Sequence, residues 1–295
     1  MIRPMLCRLM AEPFDRPGWR WERKWDGVRM IASVGRRGTE LQARSGTVKT
    51  AQLPELQFEL PDCVKHNATI DGEVVSASGL PFQEFAQRRV NRTGDVAAMA
   101  LELPAKLMAF DLLALDGEHC AGLPLRRRRQ LLQLSMPCSM NVGRLEVVSQ
   151  YDSGVDAFAR AVRYGWEGVV GKDMGQPYMF GKREWVKVKR WLEGEFWVIG
   201  FTAGTGKRAG LFGAMMLGEW DAETFEFRHV GDCGTGPDDA ELSRLDGLRR
   251  ELNMGLGDVA VKAHPNPGKM LKVRVKYVEV TNAGSLRFPV YMGLA

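Results

Sequence analysis

The sequence predicts a two-domain α+β protein, with a larger domain over residues 1–190 and a small β-barrel over residues 191–295. Three observations lead there. First, residues 1–190 interleave strand-like alternating stretches with short helical ones, the pattern of sheets flanked by helices. Second, the character changes at residues 191–194: β-rich segments come next at 196–202, 214–220, 224–230 and 270–281, joined by glycine-rich turns. One helix interrupts them near 238–252, where Leu242, Leu245, Leu248 and Leu252 recur at helical spacing. Third, charge divides at the same place. Residues 1–190 hold 29 Lys and Arg against 22 Asp and Glu, a net +7, whereas residues 191–295 hold 12 against 14, a net −2.

Short strands plus one helix in about a hundred residues suggest a barrel of the oligonucleotide-binding (OB) type. At 295 residues, 45% hydrophobic and 26% charged, the chain can bury two cores and is neither disordered nor fibrous. Cys7, Cys63, Cys120, Cys138 and Cys233 form no Cys-x-x-Cys pair, and His66, His119, His229 and His264 are isolated, so reduced thiols and no zinc site are expected. Arg3, Pro4 and Arg8 break the apolar N-terminus, leaving no run of signal or membrane length, which makes the cytoplasm the default location. The overall charge of +5, concentrated in residues 1–190, fits a polyanionic partner such as nucleic acid.

After a proline-punctuated leader, a strand from Trp21 continues through Val28, Met30 and Ala32 to a turn at Gly35-Arg36-Arg37-Gly38, and residues 40–44 close a hairpin. Residues 53–60 read as a short helix, 68–75 as a strand with Asp71 and Glu73 on one face, 83–92 as a helix, and 106–113 as a buried strand containing Phe110. The run Arg126 to Arg129 opens a helix after Pro124 and reads as a solvated face, with a nucleic-acid contact as the alternative. A helix over 155–163 ends at Gly165. Alternation in Trp185-Val186-Lys187-Val188-Lys189 then aims two lysines to one side, an arrangement that calls for an anion between them.

The organising stretch is Trp21-Glu22-Arg23-Lys24-Trp25-Asp26-Gly27-Val28-Arg29. If extended, it points Glu22, Lys24 and Asp26 one way, and Gly27 permits a turn or close backbone approach that presents Lys24 at a pocket mouth. Taken alone, Lys24 also fits an ordinary salt-bridged surface lysine. A free lysine has a pKa of about 10.4, so a nucleophilic role needs surroundings that lower it. Glu22, Arg29, Arg44, Glu73, Glu167, Lys187 and Lys189 are, with Lys24, the polar groups that alternation aims outward from apolar strands; gathered around Lys24, the cations are expected to depress its pKa while the carboxylates hold Mg²⁺. Such a set suits attack of an amine on the α-phosphate of a nucleoside triphosphate. No Gly-x-x-x-x-Gly-Lys-Ser/Thr loop is present, which excludes P-loop hydrolysis.

These motifs, in order, resemble those of ATP-dependent DNA ligases of the covalent nucleotidyltransferase superfamily, over nearly the whole chain. Lys24-Trp25-Asp26-Gly27-Val28-Arg29 is similar to the first motif, and Arg44-Ser45-Gly46 to the arginine motif that contacts the strand or nucleotide. Asp71-Gly72-Glu73, Phe110, Glu167-Gly168-Val169-Val170-Gly171-Lys172, and the pair Lys187 and Lys189 resemble the family's later motifs. The resemblance implies a nucleotidyltransferase (ATP-grasp-like) adenylation domain of antiparallel sheets with flanking helices, then an OB-fold barrel. It implies Lys24 as the adenylylated residue, Glu22 on the adenine amino group, Phe110 stacked on adenine and Glu73 on the ribose. Arg29, Arg183, Lys187 and Lys189 complete the nucleotide site, and Glu73 and Glu167 serve Mg²⁺, for which Mn²⁺ substitutes. Arg287 occupies the place of the last motif, which a swinging barrel brings onto the triphosphate.

Further implications are nicked duplex DNA as partner, contacted at Arg44, Arg88, Arg89, Lys207 and Arg208, a monomeric state, and recruitment by a clamp or Ku-like protein. Arg287 stands close to Ala295, whereas relatives continue with a further arginine and an Asp-Lys pair, so slower self-adenylylation is expected. Only 23 residues precede Lys24, so the two domains are expected to grip the nick without a helical DNA-binding domain. The competing readings are an RNA ligase or mRNA-capping guanylyltransferase of the same superfamily and, in another class, a non-catalytic nucleic-acid-binding protein.

Overall fold

Directly after Gly27 the chain runs extended from Val28 to Gly35 and returns as Gly38–Ala43, with Gly35 opposite Gly38 at the turn. Met30, Ala32, Val34 and Leu41 share one buried face while Ser33 and Glu40 are exposed on the other, the alternation that a strand dictates, and Ile31 is buried from the opposite face. The computed structural model describes residues 1–92, 94–136, 141–257, 259, 269–281 and 283–295, with the main chain alone for Asn141, Val142 and Lys207. Cys138 and His264 lie outside the described residues; Cys7, Cys63, Cys120 and Cys233 are free thiols. Among the described residues no helix is long and apolar enough to cross a membrane.

The chain divides into two compact units, Met1–Arg190 and Trp191–Ala295. Two sheets build the first. One takes the order Gly38–Ala43, Val28–Gly35, Ala68–Ser76, Ala105–Leu115, Leu145–Val147 and Asn141–Val142, with Glu118–His119 paired off its main path. The other takes the order Leu6–Met10, Arg183–Lys189, Gly168–Asp173, Trp19–Arg23 and Gln150–Tyr151. Neither is wholly antiparallel, as the resemblance implied: Leu6–Met10 runs parallel to Arg183–Lys189, and Ala105–Leu115 parallel to Leu145–Val147. Met5, Ile31, Val75, Phe110, Tyr178 and Trp185 pack into an apolar cluster that joins the sheets.

The helix Gly154–Tyr164 covers the far side of the second sheet. The Ser153 hydroxyl accepts from the Asp156 amide at its start, and Gly165 ends it with φ of 68°. It buries Ala157 and Ala161 against Trp19, Trp21, Val169, Val186 and Val188. Complete burial of each valine side chain in that layer contributes about 1.5–3 kcal/mol.

Two sequence expectations change form here. The helix expected over 83–92 is a short α-turn, Phe82–Phe85, continued by a π-turn, Ala86–Val90. The arginine run lies in the helix Leu125–Ser135, yet it is no uniform solvated face. Arg126 and Arg127 are exposed, whereas Arg128 is wholly buried on Asp111 at 2.7 and 2.8 Å, and Arg129 is buried on the Val148 and Ala109 carbonyls.

The second unit is a five-stranded antiparallel sheet in the order Glu226–Cys233, Phe212–Asp221, Leu192–Ala203, Lys272–Tyr277 and Val290–Leu294. A bridge between Thr235 and Val290 brings its two edges together, giving the barrel expected from the spacing. The helix Asp239–Glu251, capped by the Asp238 carboxylate on the Glu241 amide, buries Leu242 and Leu245 in the barrel core.

Candidate active site

The strand Trp19–Arg23 stops one residue before Lys24, and the Lys24 amide still reaches the Gly168 carbonyl at 2.9 Å. Gly27 fixes the path of the chain beyond it. A Cβ there would lie 2.4 Å from the Val74 carbonyl oxygen and 2.9 Å from Val75 Cγ1, so only glycine lets this loop lie against the strand Ala68–Ser76. Lys24 is thereby held where the two sheets of the first unit diverge around an open cleft of about 820 Å³ including its mouth. One sheet contributes Glu22, Lys172, Arg183, Trp185 and Lys187 to its lining, with Lys24 just past its strand Trp19–Arg23, and the other Arg29, Glu73 and Phe110, with Arg44 just past Gly38–Ala43. The volume suits a nucleotide-sized ligand.

The Lys24 ammonium donates to Glu167 Oε2, while Lys189 Nζ lies 3.3 Å from Glu167 Oε1. Burial pulls the Lys24 pKa down, but Glu167, Glu73 and Asp26 outweigh it, so the group sits above the ordinary lysine value. This corrects the expectation that neighbouring cations depress it: the nearest charge is a carboxylate in direct contact. Lys187, without such a partner, is lowered, chiefly by burial and then by Lys24 and Lys189 against the pull of Cys7. Burial pushes the Glu73 carboxyl up to about 7, although Arg29 and Lys24 oppose the shift.

At the inner end, Glu22 is 2% exposed and accepts from Gln150 Nε2 at 2.9 Å while pairing with Lys172 Nζ at 2.6 Å. Lys172 Nζ lies 4.2 Å from the ring centroids of both Phe110 and Trp185, and burial pulls its pKa down against Glu22. Phe110 meets Trp185 edge to face at 5.8 Å, with Arg29 over both rings. Arg29 is fixed by Asp71 at 2.5 and 2.6 Å, and Asp71 also accepts from Tyr178. Burial alone would lower Arg29; Asp71 more than reverses it. Sequence reasoning had assigned no role to Gln150, Lys172, Trp185, Tyr178 or Asp71. Lys172 ends the stretch 167–172 and Asp71 shares a strand face with Glu73, whereas nothing in the sequence around Gln150 or Tyr178 marks either.

The remaining expected residues have mixed surroundings. Arg44 and Arg183 are exposed at the cleft, Arg183 donating to the Cys7 carbonyl at 3.1 Å. Arg89 is not a surface DNA contact: it is 0% exposed and bound to Glu55 and the Gln52 carbonyl. Arg88 is at the surface but paired with Glu84 and Glu102. Arg208 spends its guanidinium on the Gly213 and Gly234 carbonyls, at 2.9 and 2.8 Å. The Lys207 side chain lies outside the described residues. Arg287, in the second unit, pairs with Glu279 at 2.8 Å. Among the described residues no three His, Cys, Asp or Glu side chains cluster as a metal site. Glu73 and Glu167, both coupled to Lys24, are a two-carboxylate set, which suits an ion that takes its remaining ligands from phosphate and water.

This geometry pairs an amine with an aromatic and acidic slot on one side and cations on the other, the requirements for covalent capture of a nucleotide phosphate. The family model described as "ATP dependent DNA ligase domain" matches residues 4–189, and that described as "ATP dependent DNA ligase C terminal region" matches residues 208–295. The chain belongs to the ATP-dependent DNA ligase family. Its fold is the family's, an adenylation domain and then an OB-fold barrel. The multifunctional non-homologous end joining DNA repair protein LigD of Mycobacterium tuberculosis is 33% identical over 288 residues, 94% of this chain and 36% of that protein. A DNA ligase of Methanothrix thermoacetophila is 33% identical over 282 residues, 91% of this chain and 50% of that enzyme. The chain thus spans between about a third and a half of these relatives. The structure of mycobacterial DNA ligase D complexed with ATP and MES aligns with all of this chain and 95% of its own, at 28% identity and a TM-score of 0.57. A Lig E DNA ligase structure shares the fold over the full length of both chains, at 20% identity and a TM-score of 0.64.

Proposed function

We propose that this chain is the catalytic module of an ATP-dependent DNA ligase that seals nicks in duplex DNA, carrying AMP on Lys24. The observation that supports it most is Lys24 held between Glu167 and a cleft that offers both an aromatic slot and phosphate-binding cations. In this reading adenine enters beside Phe110 and Trp185, its amino group toward Glu22, the ribose meets Glu73, and the phosphates lie along Arg29, Arg44, Arg183, Lys187 and Lys189. Lys24 sheds a proton and its nitrogen attacks the α-phosphorus; a P–N bond forms, the bond to the bridging oxygen breaks, and pyrophosphate departs. Arg287 of the barrel assists that departure. AMP then passes to the 5′-phosphate of the nick, freeing Lys24, and the 3′-hydroxyl displaces AMP to form the phosphodiester. Magnesium held by Glu73, Glu167 and phosphate oxygens would supply Lewis-acid charge to these steps.

The test is incubation of the purified protein with Mg²⁺ and labelled ATP, then mass analysis. One AMP is expected on Lys24, and none on a Lys24→Ala variant that keeps its unfolding midpoint; equal labelling of that variant would refute the assignment. Chasing the labelled protein with nicked DNA and nicked RNA, and loading with GTP in place of ATP, separates this reading from an RNA ligase or a guanylyltransferase. The names of the LigD relatives favour break repair as the setting, in which the chain would act as a monomer brought to DNA by a recruiter. Comparison of nicked, cohesive and blunt substrates, with and without a Ku-like or clamp protein, tests that setting.

A further inference from the structure

A row of rings and guanidinium groups leads from the cleft to the surface of the first unit. Arg23 and Trp25 line the cleft beside Lys24, with the Arg23 guanidinium 3.8 Å from the Trp25 ring centroid. The same guanidinium lies 5.5 Å from the ring of Trp166, the residue preceding Glu167. Trp166 is flanked by Tyr164, stacked at 6.1 Å and 27°, and by Tyr151 at 6.0 Å and 41°. Arg163 lies 5.3 Å from the Tyr164 ring and Arg160 5.4 Å from that of Tyr151.

Packing accounts for only part of this row. Tyr151 and Trp166 rest on the buried layer of Trp19, Trp21 and Val169. Tyr164 does not: it is 56% exposed, and Arg160 and Arg163 beside it are exposed as well. The nearby Asp152 carboxylate is already taken by Arg20 at 2.8 Å. An exposed ring continued by two half-buried ones and interleaved with cations matches a ligand that alternates π-faces with negative charge, which is an unpaired polynucleotide strand; a duplex hides its base faces.

We propose that Tyr151, Trp166 and Tyr164, with Arg160 and Arg163, form a stacking surface for an unpaired DNA strand that runs out from the Lys24 cleft. Three rings and two cations suit a short overhang or frayed end, so the surface serves broken ends more than a fully paired nick. The inference takes from the proposed function only the identity of the polymer. Its test needs neither ATP nor sealing.

Binding of a labelled oligo-dT to the full chain is measured by fluorescence anisotropy, with a blunt duplex as reference. Tyr164→Ala is expected to weaken oligo-dT binding by about fivefold or more, the effect of losing one stacked base. Tyr164→Phe keeps the affinity, and Arg160→Ala and Arg163→Ala each lower the salt dependence by about one counterion. Duplex binding and AMP loading of Lys24 stay at wild-type levels in all four variants. The proposal is overturned if wild type does not bind oligo-dT, if Tyr164→Ala binds it undiminished, if Tyr164→Phe loses as much as Tyr164→Ala, or if oligo-U binds more tightly. Loss of AMP loading in wild type with oligo-dT binding intact would refute the ligase reading and leave this one standing.

Discussion

Removing the Asp111 carboxylate alone should unfold the first unit far more readily than removing the whole ion pair to which it belongs. Asp111 and Arg128 are both 0% exposed and joined by two parallel bonds of 2.7 and 2.8 Å. Burial pushes the Asp111 carboxyl above its ordinary range even against Arg128, so the pair is itself costly to enclose. Asp111→Ala strands a buried guanidinium, at a cost of about 3–5 kcal/mol. In a unit of this size that corresponds to a fall in Tm of about 6–20 °C. Asp111→Leu combined with Arg128→Met removes both charges. Arg128 also donates to the Leu123 and Gln176 carbonyls, which lose a donor in the double variant, so a deficit of about 1–3 kcal/mol should remain. Thermal and urea unfolding of wild type, Asp111→Leu, Arg128→Met and the double variant closes the cycle, with Asp111→Ala measured beside it. Costs that simply add, or a loss below about 1 kcal/mol for Asp111→Ala, would refute the reasoning.

Other expectations concern the cleft. Phe110→Ala should raise the KM for ATP in Lys24 labelling by about tenfold while sealing of pre-adenylylated nicks changes little; equal losses in both assays would deny the ring a role toward the base. Glu73 titrates near 7 when folded and near 4.5 when unfolded, so the folded state holds the extra proton between these values and stability should fall as pH rises through that window. Glu73→Gln should flatten that slope, and in wild type nucleotide loading should weaken below about pH 7 as the carboxylate is lost. Gly27→Ala should cost about 1–3 kcal/mol, read as a lower urea midpoint at unchanged m-value, because its methyl would meet the Val74 carbonyl.

Much of the fold was legible because period-two burial is a local property. Alternation gave Lys187 the same side as Trp185, and both line the cleft; the glycine after Asp26 was read as a close approach, and the Val74 carbonyl is its neighbour there. Arginines were the opposite case. Whether a guanidinium faces water depends on a carboxylate or carbonyl supplied from elsewhere: Glu55 lies 34 residues from Arg89, and Asp111 lies 17 from Arg128. No pattern within the run Arg126 to Arg129 distinguishes its exposed half from its buried half. The Lys24 pKa failed differently: Glu167 was expected among the surrounding charges, but which of them touches the amine is set by three-dimensional contact, and it is that carboxylate.

The parallel pairing of Leu6–Met10 with Arg183–Lys189 sets an order of assembly. Leu9 sits opposite Lys187, so Leu6–Met10 finds its neighbour only after nearly all of the first unit that separates the two strands has been made. Until then Leu6–Met10 has no strand to pair with, and a nascent chain stopped before residue 183 would expose it as an open β-edge. Pairings of such sequence separation close more slowly than local ones, which makes this strand the segment most open to wrong pairing during synthesis.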